Sequence, residues 1–385
     1  MRSEHMRGAA VGWGGTSPAV PAFTLETVTV PGDWPRIIAH IDMDAFYVAA
    51  ELRRAPQLHG LPVVVAGSGP RAVVTTASYE ARRFGVGSAM PAARARRLCP
   101  EAVFLPPDFA HYREVSGRVM AILRRHVEKV SVVGFDEAYL DLTGLPAPHA
   151  TVRMVRAEIE RAEGLSCSIG IGPSKLVAKV ASDAEKPRGF VVLTREQARA
   201  RFAPSPPGLV PGIGPKTAAR LAAVGIKTLG QLAATPEHQL AARFGPRMGT
   251  ELRRRACFED DAPLCEQRKV VSESRETTFD NDIADQHELE RILTRLVERL
   301  CSALQSSGRS GRTVGIKVRL DDFSTHTRAR TLAEPVAAAD RVGPVAVELL
   351  RRFAPPRPVR LLGVRVAGLQ RGEEAQLTLL GRDRA

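Results

Sequence analysis

Hydrophobic and polar positions follow two different spacings along this chain, and the spacings separate predicted strands from predicted helices. Short apolar runs rich in β-branched residues predict strands at residues 37–41, 61–66, 71–76, 130–135 and 166–172. Apolar positions at helical spacing predict helices at residues 48–54, 78–84, 113–129, 151–163 and 175–184. Because strands and helices alternate, we expect a mixed α/β layer with helices on one face of its sheet.

Residues 195–262 differ in character, since their pattern predicts several helices joined by short glycine-containing turns. The segment VPGIGPK at 210–216 opens a predicted helix that runs through Ala223. Backbone N–H groups in such a turn can hold an anion, so Gly212, Gly214 and Lys216 are candidate contacts to DNA phosphates. The pattern is typical of a helix-hairpin-helix, and an ordinary glycine-rich connection between helices is the alternative.

A strict alternation begins at Thr313, where apolar residues face one way and Lys317 and Arg319 the other. The next run alternates in the same manner. We expect an antiparallel sheet with one face covered by helices at 289–304 and 342–353 and one basic face outside. A solvated charged face is the usual reading of such alternation, but phosphate contact is favoured in a basic protein. The candidate DNA contacts are Lys317, Arg319, Arg328 and Arg330.

Composition narrows the class of partner. The chain has 385 residues, more than a single core normally serves, so several domains are expected. Its 55 Lys and Arg exceed its 42 Asp and Glu, which favours a polyanion such as nucleic acid. No apolar run approaches the ~18–20 residues of a membrane span. The five cysteines are widely spaced without a CxxC pair, so a reducing cytoplasm is the expected location.

Two acidic clusters carry the chemistry. Asp42 and Asp44 follow the first predicted strand, and Asp136 and Glu137 follow the run at 130–135. Carboxylates at the ends of buried strands are costly unless a positive charge neutralises them. Two divalent cations about 3.5–4 Å apart would do so, and they serve phosphoryl transfer. Strand-end turns with solvated acids are the alternative.

Together these segments resemble the Y-family DNA polymerases, most closely their bacterial DNA polymerase IV (DinB-type) branch. The resemblance extends from residue 37 to residue 369. It rests on motifs in the family's order, namely HIDMDAFYVAAE (40–51), VVTTASYEARRFGVGSAMP (73–91), FDEAYLDLTG (135–144), SIGIGPSKLVAKVASDAEKPRG (168–189) and RTVGIKVRLDDFSTHTRARTL (312–332).

The resemblance implies an α+β, multidomain right-hand polymerase. A mixed α/β palm would carry the catalytic residues, beside small fingers, a helical helix-hairpin-helix thumb and an α/β little finger with an antiparallel sheet for DNA binding. The implied bounds are 36–45 and 110–182 for the palm, 46–109 for the fingers, 183–267 for the thumb and 268–370 for the little finger. Residues 1–35 are expected to be a flexible extension.

The resemblance also implies roles for single residues. Asp42, Asp136 and Glu137 fall on the catalytic carboxylates that hold two Mg²⁺, for which Mn²⁺ is a possible substitute. The backbone carbonyl of Met43 would complete the shell of one metal. Tyr47 falls on the steric gate that excludes a 2′-hydroxyl. The implied nucleotide-binding residues are Thr76, Tyr79, Arg82, Lys175 and Phe46. A core aromatic is the alternative for both Tyr47 and Phe46.

Three other features of the motifs bear on the site. Asp44 and Asp141 are interpreted as acids that cap or stabilise turns rather than as ligands. Gly134 and Phe135 stand where the family typically has Ser and a small aliphatic residue, so packing beneath the metals could differ. Ser174 replaces a more usual Asn before Lys175, and it removes no required group.

The tail at 371–385 resembles the short peptide with which bacterial polymerases bind the sliding clamp. That peptide combines a glutamine with spaced large apolar residues. A tail strand packed on the little finger is the alternative. The matching residues are Gln376, Leu377, Leu379 and Leu380.

These observations predict a template-directed, low-fidelity translesion DNA polymerase that adds dNTPs to a primer 3′ end. No segment is left for an exonuclease, so proofreading is not expected. The expected partners are primer–template DNA, dNTP and the clamp, with a monomeric protein and no membrane. A nucleotidyl cyclase, a repair scaffold with an inactive palm and a template-independent inserter are the alternatives.

Overall fold

The computed structural model describes residues 34–265 and 269–371. The chain forms two compact units that divide after residue 267, except that residues 68–72 group with the second unit. The finer division of the first unit into palm, fingers and thumb stays a prediction. The expected clamp-binding residues Gln376, Leu377, Leu379 and Leu380 lie outside the described residues.

The first unit contains two sheets and a series of helices. Its strands are β1 (Ile38–Met43), β2 (Val63–Ala66), β3 (Val74–Ala77), β4 (Val103–Leu105), β5 (Val130–Val132), β6 (Glu137–Asp141), β7 (Cys167–Gly172) and β8 (Phe190–Val192). Its α-helices are α1 (Phe46–Arg54), α2 (Tyr79–Arg83), α3 (Ala92–Leu98), α4 (Phe109–His126), α5 (Pro148–Glu163), α6 (Lys175–Ala184), α7 (Arg195–Phe202), α8 (Pro215–Ala223), α9 (Leu229–Ala234), α10 (Glu237–Phe244) and α11 (Pro246–Ala256). Short 3₁₀ helices lie at Pro56–Leu58 and Pro207–Leu209.

Strand β1 lies at the centre of a five-stranded sheet with the order β5-β6-β1-β7-β8. It is antiparallel to both neighbours, and all six of its residues are buried. Successive side chains of a strand point to opposite faces. Ala39 and Ile41 therefore pack in the core that α4 and α5 supply, whereas His40 and Asp42 face α6. Helices cover both faces, so the expectation of helices on one face is wrong.

The second acidic cluster lies on a hairpin rather than at the end of one strand. The predicted strand 130–135 stops at Val132, and β6 begins at Glu137 and returns antiparallel to β5. The backbone N–H of Val133 donates to the carbonyl of Glu137 at 3.0 Å and closes the turn. Asp136 lies in this turn. Two antiparallel strands can be joined by a short connection, and a continuous apolar run does not reveal where that connection falls.

A close approach between β7 and α6 depends on Gly170. A Cβ at residue 170 would lie 2.1 Å from the carbonyl oxygen of Ala178 and 2.3 Å from the nitrogen of Ser182. Both contacts are with backbone, which cannot move aside as a flexible side chain can. Glycine at this position therefore sets how closely α6 packs on the five-stranded sheet.

We expect Gly170→Ala to lower the free energy of unfolding by at least about 3 kcal/mol, because overpacked cores must shift backbone. Gly117→Ala is the matched control, since Gly117 lies in α4 with nothing within 4 Å of an added Cβ. There alanine should stabilise the helix by about 0.5–1 kcal/mol. Chemical denaturation of both variants measures the difference. A Gly170→Ala protein within about 1 kcal/mol of the wild type would contradict the close packing.

The remaining parts of the first unit support the central sheet. Strands β3, β2 and β4 form a small three-stranded sheet, and the hydroxyl of Ser78 caps α2 by accepting from the Ala81 N–H at 3.2 Å. Helices α7 to α11 share an apolar core with α6. The predicted helical character of residues 195–262 and the helix through Ala223 are confirmed.

The second unit is a four-stranded antiparallel sheet with two helices on one face. Its elements are β9 (Ser272–Ile283), α12 (Gln286–Ser306), β10 (Arg309–Leu320), β11 (Thr325–Val336), α13 (Ala339–Phe353) and β12 (Val359–Arg371), with the strand order β11-β10-β12-β9. The predicted apolar face is confirmed, since Val314, Ile316, Val318 and Leu320 are all buried in the core with α12 and α13.

Arg328 and Arg330 do not lie on the same face as Lys317 and Arg319. Arg328 is directly opposite Ile316, and Arg330 is opposite Val314, so both arginines point to the helix side of the sheet. Arg330 pairs with Glu348 of α13, and the Arg328 guanidinium lies 4.9 Å from the Phe353 ring centroid. The expectation of one common basic face is wrong. Strand β11 is at the sheet edge, where long arginine side chains can extend over α13 while their charged heads stay in water.

Among residues 34–265 and 269–371, no helix combines the length and the apolar character that crossing a membrane would require.

Candidate active site

Pairing of β1 with β6 brings the predicted carboxylates together. Asp42 lies directly opposite Glu137 in the register of the two strands. The N–H of Met43 donates to the carbonyl oxygen of Asp136 at 2.8 Å, which holds the β5–β6 turn against β1. Asp42, Met43 and Asp136 line one cavity. Since the Met43 side chain is buried in the core at 2% exposure, this residue offers the cavity its backbone.

Two lysines neutralise this cluster, and sequence reasoning missed both. The ammonium of Lys179 lies 2.9 Å from Asp42 and 3.0 Å from Glu137. The ammonium of Lys186 lies 2.8 Å from Asp42 and 2.7 Å from Asp183. Burial disfavours the charged form of Lys179, but the carboxylates of Asp42 and Asp183 outweigh it and raise its pKa. Paired charges make these buried carboxylates tolerable.

Lys175 is not in the cavity. It begins α6, and its ammonium donates to the backbone carbonyl of Pro263 at 3.0 Å. Lys179 is four residues further along the same helix, so it lies on the same side of α6 one turn on, where its ammonium reaches Asp42 and Glu137. The lysine that α6 presents to the carboxylates is Lys179. A triphosphate contact of Lys175 stays a prediction without a supporting contact in this structure.

His40 is a further site residue that the motif reading passed over. It is fully buried on the Asp42 face of β1, with Nδ1 at 2.8 Å from the Ser182 hydroxyl and Nε2 at 3.3 Å from Glu137. Burial lowers the pKa of His40, which favours the neutral imidazole. The hydrogen bond from His40, together with Lys179, lowers the pKa of Glu137 to about 2. Its position two residues before Asp42 is the sequence signal that could have identified it.

The donor set fits divalent metal ions. Ligand atoms of His40, Asp42 and Glu137 lie within 4.8 Å of one another. Nδ1 of His40 is taken by the Ser182 hydroxyl and its Nε2 lies 3.3 Å from Glu137. The other donors of the cluster are carboxylate oxygens, which Mg²⁺ prefers. Burial, and then the negative charge of Asp42, raise the pKa of Asp136. A cation beside Asp136 would remove that cost.

The cavity beside the carboxylates has a volume of about 210 Å³. Its other walls bring together the predicted nucleotide-binding residues Thr76, Tyr79 and Arg82. The Tyr79 hydroxyl is buried and makes no hydrogen bond to the described residues, and burial, then Asp44, raise its pKa to about 12. The Arg82 guanidinium lies 4.6 Å from the Tyr79 ring centroid, and its Nε donates to the Ala77 carbonyl at 3.0 Å. Lys186 also lines this cavity.

Phe46 and Tyr47 directly follow a strained turn at Ala45. Ala45 has φ 45°, a left-handed conformation that is uncommon for a residue with a Cβ, and α1 begins at once after it. Phe46 is 2% exposed and packs in the main core, although it also borders the cavity. Its alternative reading as a core aromatic therefore has direct support. Tyr47 is partly buried and lines the cavity.

The other two motif acids, Asp44 and Asp141, accept hydrogen bonds from protein donors. Asp44 accepts hydrogen bonds from the hydroxyls of Ser166 (2.9 Å) and Ser168 (2.7 Å) and from the Arg188 N–H (3.0 Å). Asp141 accepts from the Thr143 N–H at 3.0 Å. Asp44 is thus occupied by three donors and is not available as a free ligand.

The predicted phosphate-binding turn is exposed in the helical part of the first unit. Gly212, with φ 90°, and Gly214 flank Ile213, which is buried and anchors the turn. The left-handed φ of Gly212 favours glycine at this position, since a residue with a Cβ would be strained there. Lys216 is exposed on the first turn of α8. The geometry keeps one face of the turn open for an anion.

Three family models match the chain. Residues 41–183 match the impB/mucB/samB family, and residues 270–379 match the C-terminal domain of that family. Residues 208–256 match the thumb domain of DNA polymerase-iota. These segments contain the carboxylate cluster, the four-stranded sheet and the glycine turn, respectively.

Individual relatives agree with these family models over most of the chain. DNA polymerase IV of Methanoculleus marisnigri is 40% identical over 351 residues, which cover 89% of this chain and 97% of that protein. DNA polymerase IV of Xanthomonas campestris pv. campestris is 42% identical and covers 86% and 94%, respectively. The solved structure of a Y-family DNA polymerase chimera superposes with a TM-score of 0.79 at 26% identity, covering 87% of this chain and 100% of the chimera. The chain therefore belongs to the Y-family DNA polymerases, in the branch of the DNA polymerase IV proteins.

Proposed function

We propose that the cavity beside Asp42 and Asp136 binds an incoming dNTP and joins it to a primer 3′ end under the direction of a template. The observation that carries this proposal is the composition of one cavity. The carboxylates of Asp42 and Asp136, the ring of Tyr47 and the cations Arg82 and Lys186 line the same space of about 210 Å³. Translesion synthesis without proofreading is a general property of the family and follows from membership.

Members of this family are metal-dependent, and we assign Mg²⁺ to Asp42, Asp136, Glu137 and the Met43 carbonyl. When bound, two such ions would lower the pKa of the primer hydroxyl and neutralise the departing pyrophosphate. The chain's own residues prepare the site: His40 and Lys179 keep Glu137 ionised, and β1–β6 pairing holds it opposite Asp42. These contacts fix the carboxylates before substrate arrives, which limits reorganisation during the reaction.

Cations and a hydroxyl donor at the far wall suit a triphosphate. Arg82 is oriented by its bond to the Ala77 carbonyl, and the buried Tyr79 hydroxyl has a free donor for a phosphate oxygen. Lys186 already contacts a carboxylate oxygen in the same cavity, so its ammonium can reach a nearby anion. Charge that grows on the leaving group would be stabilised by these groups.

Tyr47 is the residue that selects the sugar in this proposal. Its ring lies on the cavity wall between the metal-type carboxylates and the aromatic core. An aromatic ring beneath the sugar leaves no space for a 2′-hydroxyl, so a ribonucleotide would have to displace it. Phe46, buried beside Tyr47, supports the wall rather than the nucleotide directly.

Duplex DNA is the proposed macromolecular partner. The turn with Gly212, Gly214 and Lys216 suits backbone phosphates, and Lys317 and Arg319 lie on the open face of the second unit's sheet. Such contacts do not read sequence and weaken with salt. Arg328 and Arg330, on the other face, are removed from this proposed surface. A monomer that binds a sliding clamp through residues 376–380 is the further expectation for the assembly.

The phosphate-binding part of this proposal has a direct test. Arg82→Ala is expected to raise the KM for the correct dNTP about tenfold, because one charge-assisted contact to the triphosphate is lost. Arg83→Ala is the matched control, since Arg83 is the exposed neighbour that does not line the cavity. Single-nucleotide insertion kinetics on one primer–template measure both variants. Equal KM values for the two variants would show that Arg82 does not hold the substrate.

A further inference from the structure

The ring of Tyr47 is enclosed by four other aromatic rings. Its centroid lies 4.8 Å from that of Tyr112 and 5.4 Å from that of Phe46. Phe109 and Phe135 contact it from further away, at 6.1 Å and 6.5 Å, with interplanar angles of 81° and 83°. The last two contacts are edge-to-face, an arrangement that aromatic pairs favour. The orientation of Tyr47 is therefore set by its neighbours as well as by its own backbone.

Phe135 differs from the other three neighbours in its place in the fold. Phe46 belongs to α1, and Phe109 and Tyr112 belong to α4, whereas Phe135 lies in the β5–β6 turn directly before Asp136. Burial, and then the charge of Asp136, raise the pKa of Tyr47, so the Tyr47 hydroxyl lies within the field of that carboxylate. Phe135 thus connects the turn that presents a metal-type carboxylate to the ring on the cavity wall.

Phe135 has a cationic neighbour, and the residue before it leaves space for Asp136. The guanidinium of Arg113, also from α4, lies 5.9 Å from the Phe135 ring centroid. A Cβ on Gly134 would lie only 3.3 Å from a carboxylate oxygen of Asp136. Because Gly134 has no side chain, the Asp136 carboxylate has space at its observed position. Gly134 therefore leaves space for the Asp136 carboxylate, and Phe135 places its ring against that of Tyr47.

We propose that Phe135 is a positioning residue that holds the Tyr47 ring in its orientation on the cavity wall and thereby sets how strictly this enzyme rejects ribonucleotides. This inference rests on the proposed role of Tyr47 in sugar selection. A small aliphatic residue at 135 would lack the ring edge that contacts Tyr47. The tyrosine could then tilt away from the sugar, and a 2′-hydroxyl would meet less resistance.

The test is the ratio of kcat/KM for a dNTP to that for the matching rNTP. We expect Phe135→Ile to lower this ratio about three- to tenfold while kcat/KM for the dNTP changes less than about threefold. Tyr47→Ala should lower the ratio about 10²-fold. In the Tyr47→Ala background, adding Phe135→Ile should change the ratio no further, because the ring on which Phe135 acts is gone.

Phe190→Ile is the matched control for loss of a partly buried ring. Phe190 lies in β8, has Arg153 5.0 Å from its ring centroid and does not line the cavity. Its variant should keep the wild-type ratio even if its thermal midpoint falls as far as that of Phe135→Ile. An unchanged ratio in Phe135→Ile, with a large loss in Tyr47→Ala, would overturn this inference alone. An unchanged ratio in Tyr47→Ala would instead overturn the proposed gate.

Discussion

Replacing Asp42 by asparagine is expected to lower kcat/KM for dNTP insertion by about 10³-fold or more, the largest effect in this protein. Asparagine nearly preserves the shape of the side chain but removes its charge. A neutral group cannot hold a divalent cation between itself and Glu137, its partner across the β1–β6 pair. The loss should appear in kcat, with the affinity for primer–template DNA changed less than about threefold, because the proposed DNA contacts are elsewhere.

Asp141→Asn is the matched control for Asp42→Asn. It makes the same chemical change on β6, in the same motif, at a residue whose side chain accepts from the Thr143 N–H. Its kcat/KM should stay within about threefold of the wild type. Circular dichroism and thermal unfolding of Asp42→Asn would show that the fold persists, since Lys179 and Lys186 then lose one partner. Residual activity above about a tenth of the wild type would remove Asp42 from the metal site.

Replacing Lys179 by methionine is the second change with a large expected effect. Without this ammonium, Asp42 and Glu137 face each other across two strands as like charges, which destabilises a strand pair. Breaking a largely buried ion pair costs about 3–5 kcal/mol, and the partial exposure of Lys179 and the nearby Lys186 reduce this. We expect the free energy of unfolding without metal to fall by about 2 kcal/mol, and kcat/KM to fall about 10- to 100-fold.

Lys175→Met provides the comparison for Lys179→Met, because both lysines lie in α6 one turn apart. The Lys175 ammonium donates to the exposed backbone carbonyl of Pro263, so its loss should lower the free energy of unfolding by less than about 0.5 kcal/mol. Any loss of activity in Lys175→Met should appear in the KM for dNTP, as expected for a triphosphate contact. Denaturation in EDTA and steady-state insertion kinetics measure the two variants side by side. If Lys175→Met lowers the free energy of unfolding as much as Lys179→Met does, the assignment of Lys179 to the carboxylates is wrong.

Comparison of these two lysines shows how far the sequence alone determined the site. The motif around residues 168–189 indicated Lys175 as a triphosphate contact and gave no role to Lys179, one helical turn further along. Which one reaches the carboxylates depends on where α6 rests on the sheet. That position is set by the close contact at Gly170, which no local pattern encodes. By contrast, Asp42 could be placed because it lies at the end of a strand with a clear apolar pattern, whereas the roles expected for Asp136 and Tyr47 rested on the resemblance of their motifs.

The basic residues of the second unit show a different limit. Alternation along β10 correctly separated Val314 and Ile316 from Lys317 and Arg319. The same alternation along β11 gave two faces but not which of them is covered, since an edge strand extends beyond the apolar cover of the helices. Cross-strand register decides it, and register places Arg328 and Arg330 on the helix side.

His40 was missed for a related reason, because a histidine inside an apolar strand is interpreted as a core residue until its partners are known.

The measurement that tests the central claim most directly is insertion of single nucleotides by the wild-type protein on four primer–templates that differ only in the templating base. With Mg²⁺ present, each template should direct insertion of its complementary dNTP, and Asp42→Asn should abolish all four reactions. The same nucleotide inserted on every template would indicate a template-independent enzyme. DNA binding without extension, or a cyclic product formed from a nucleotide alone, would contradict the assignment of this cavity to templated DNA synthesis.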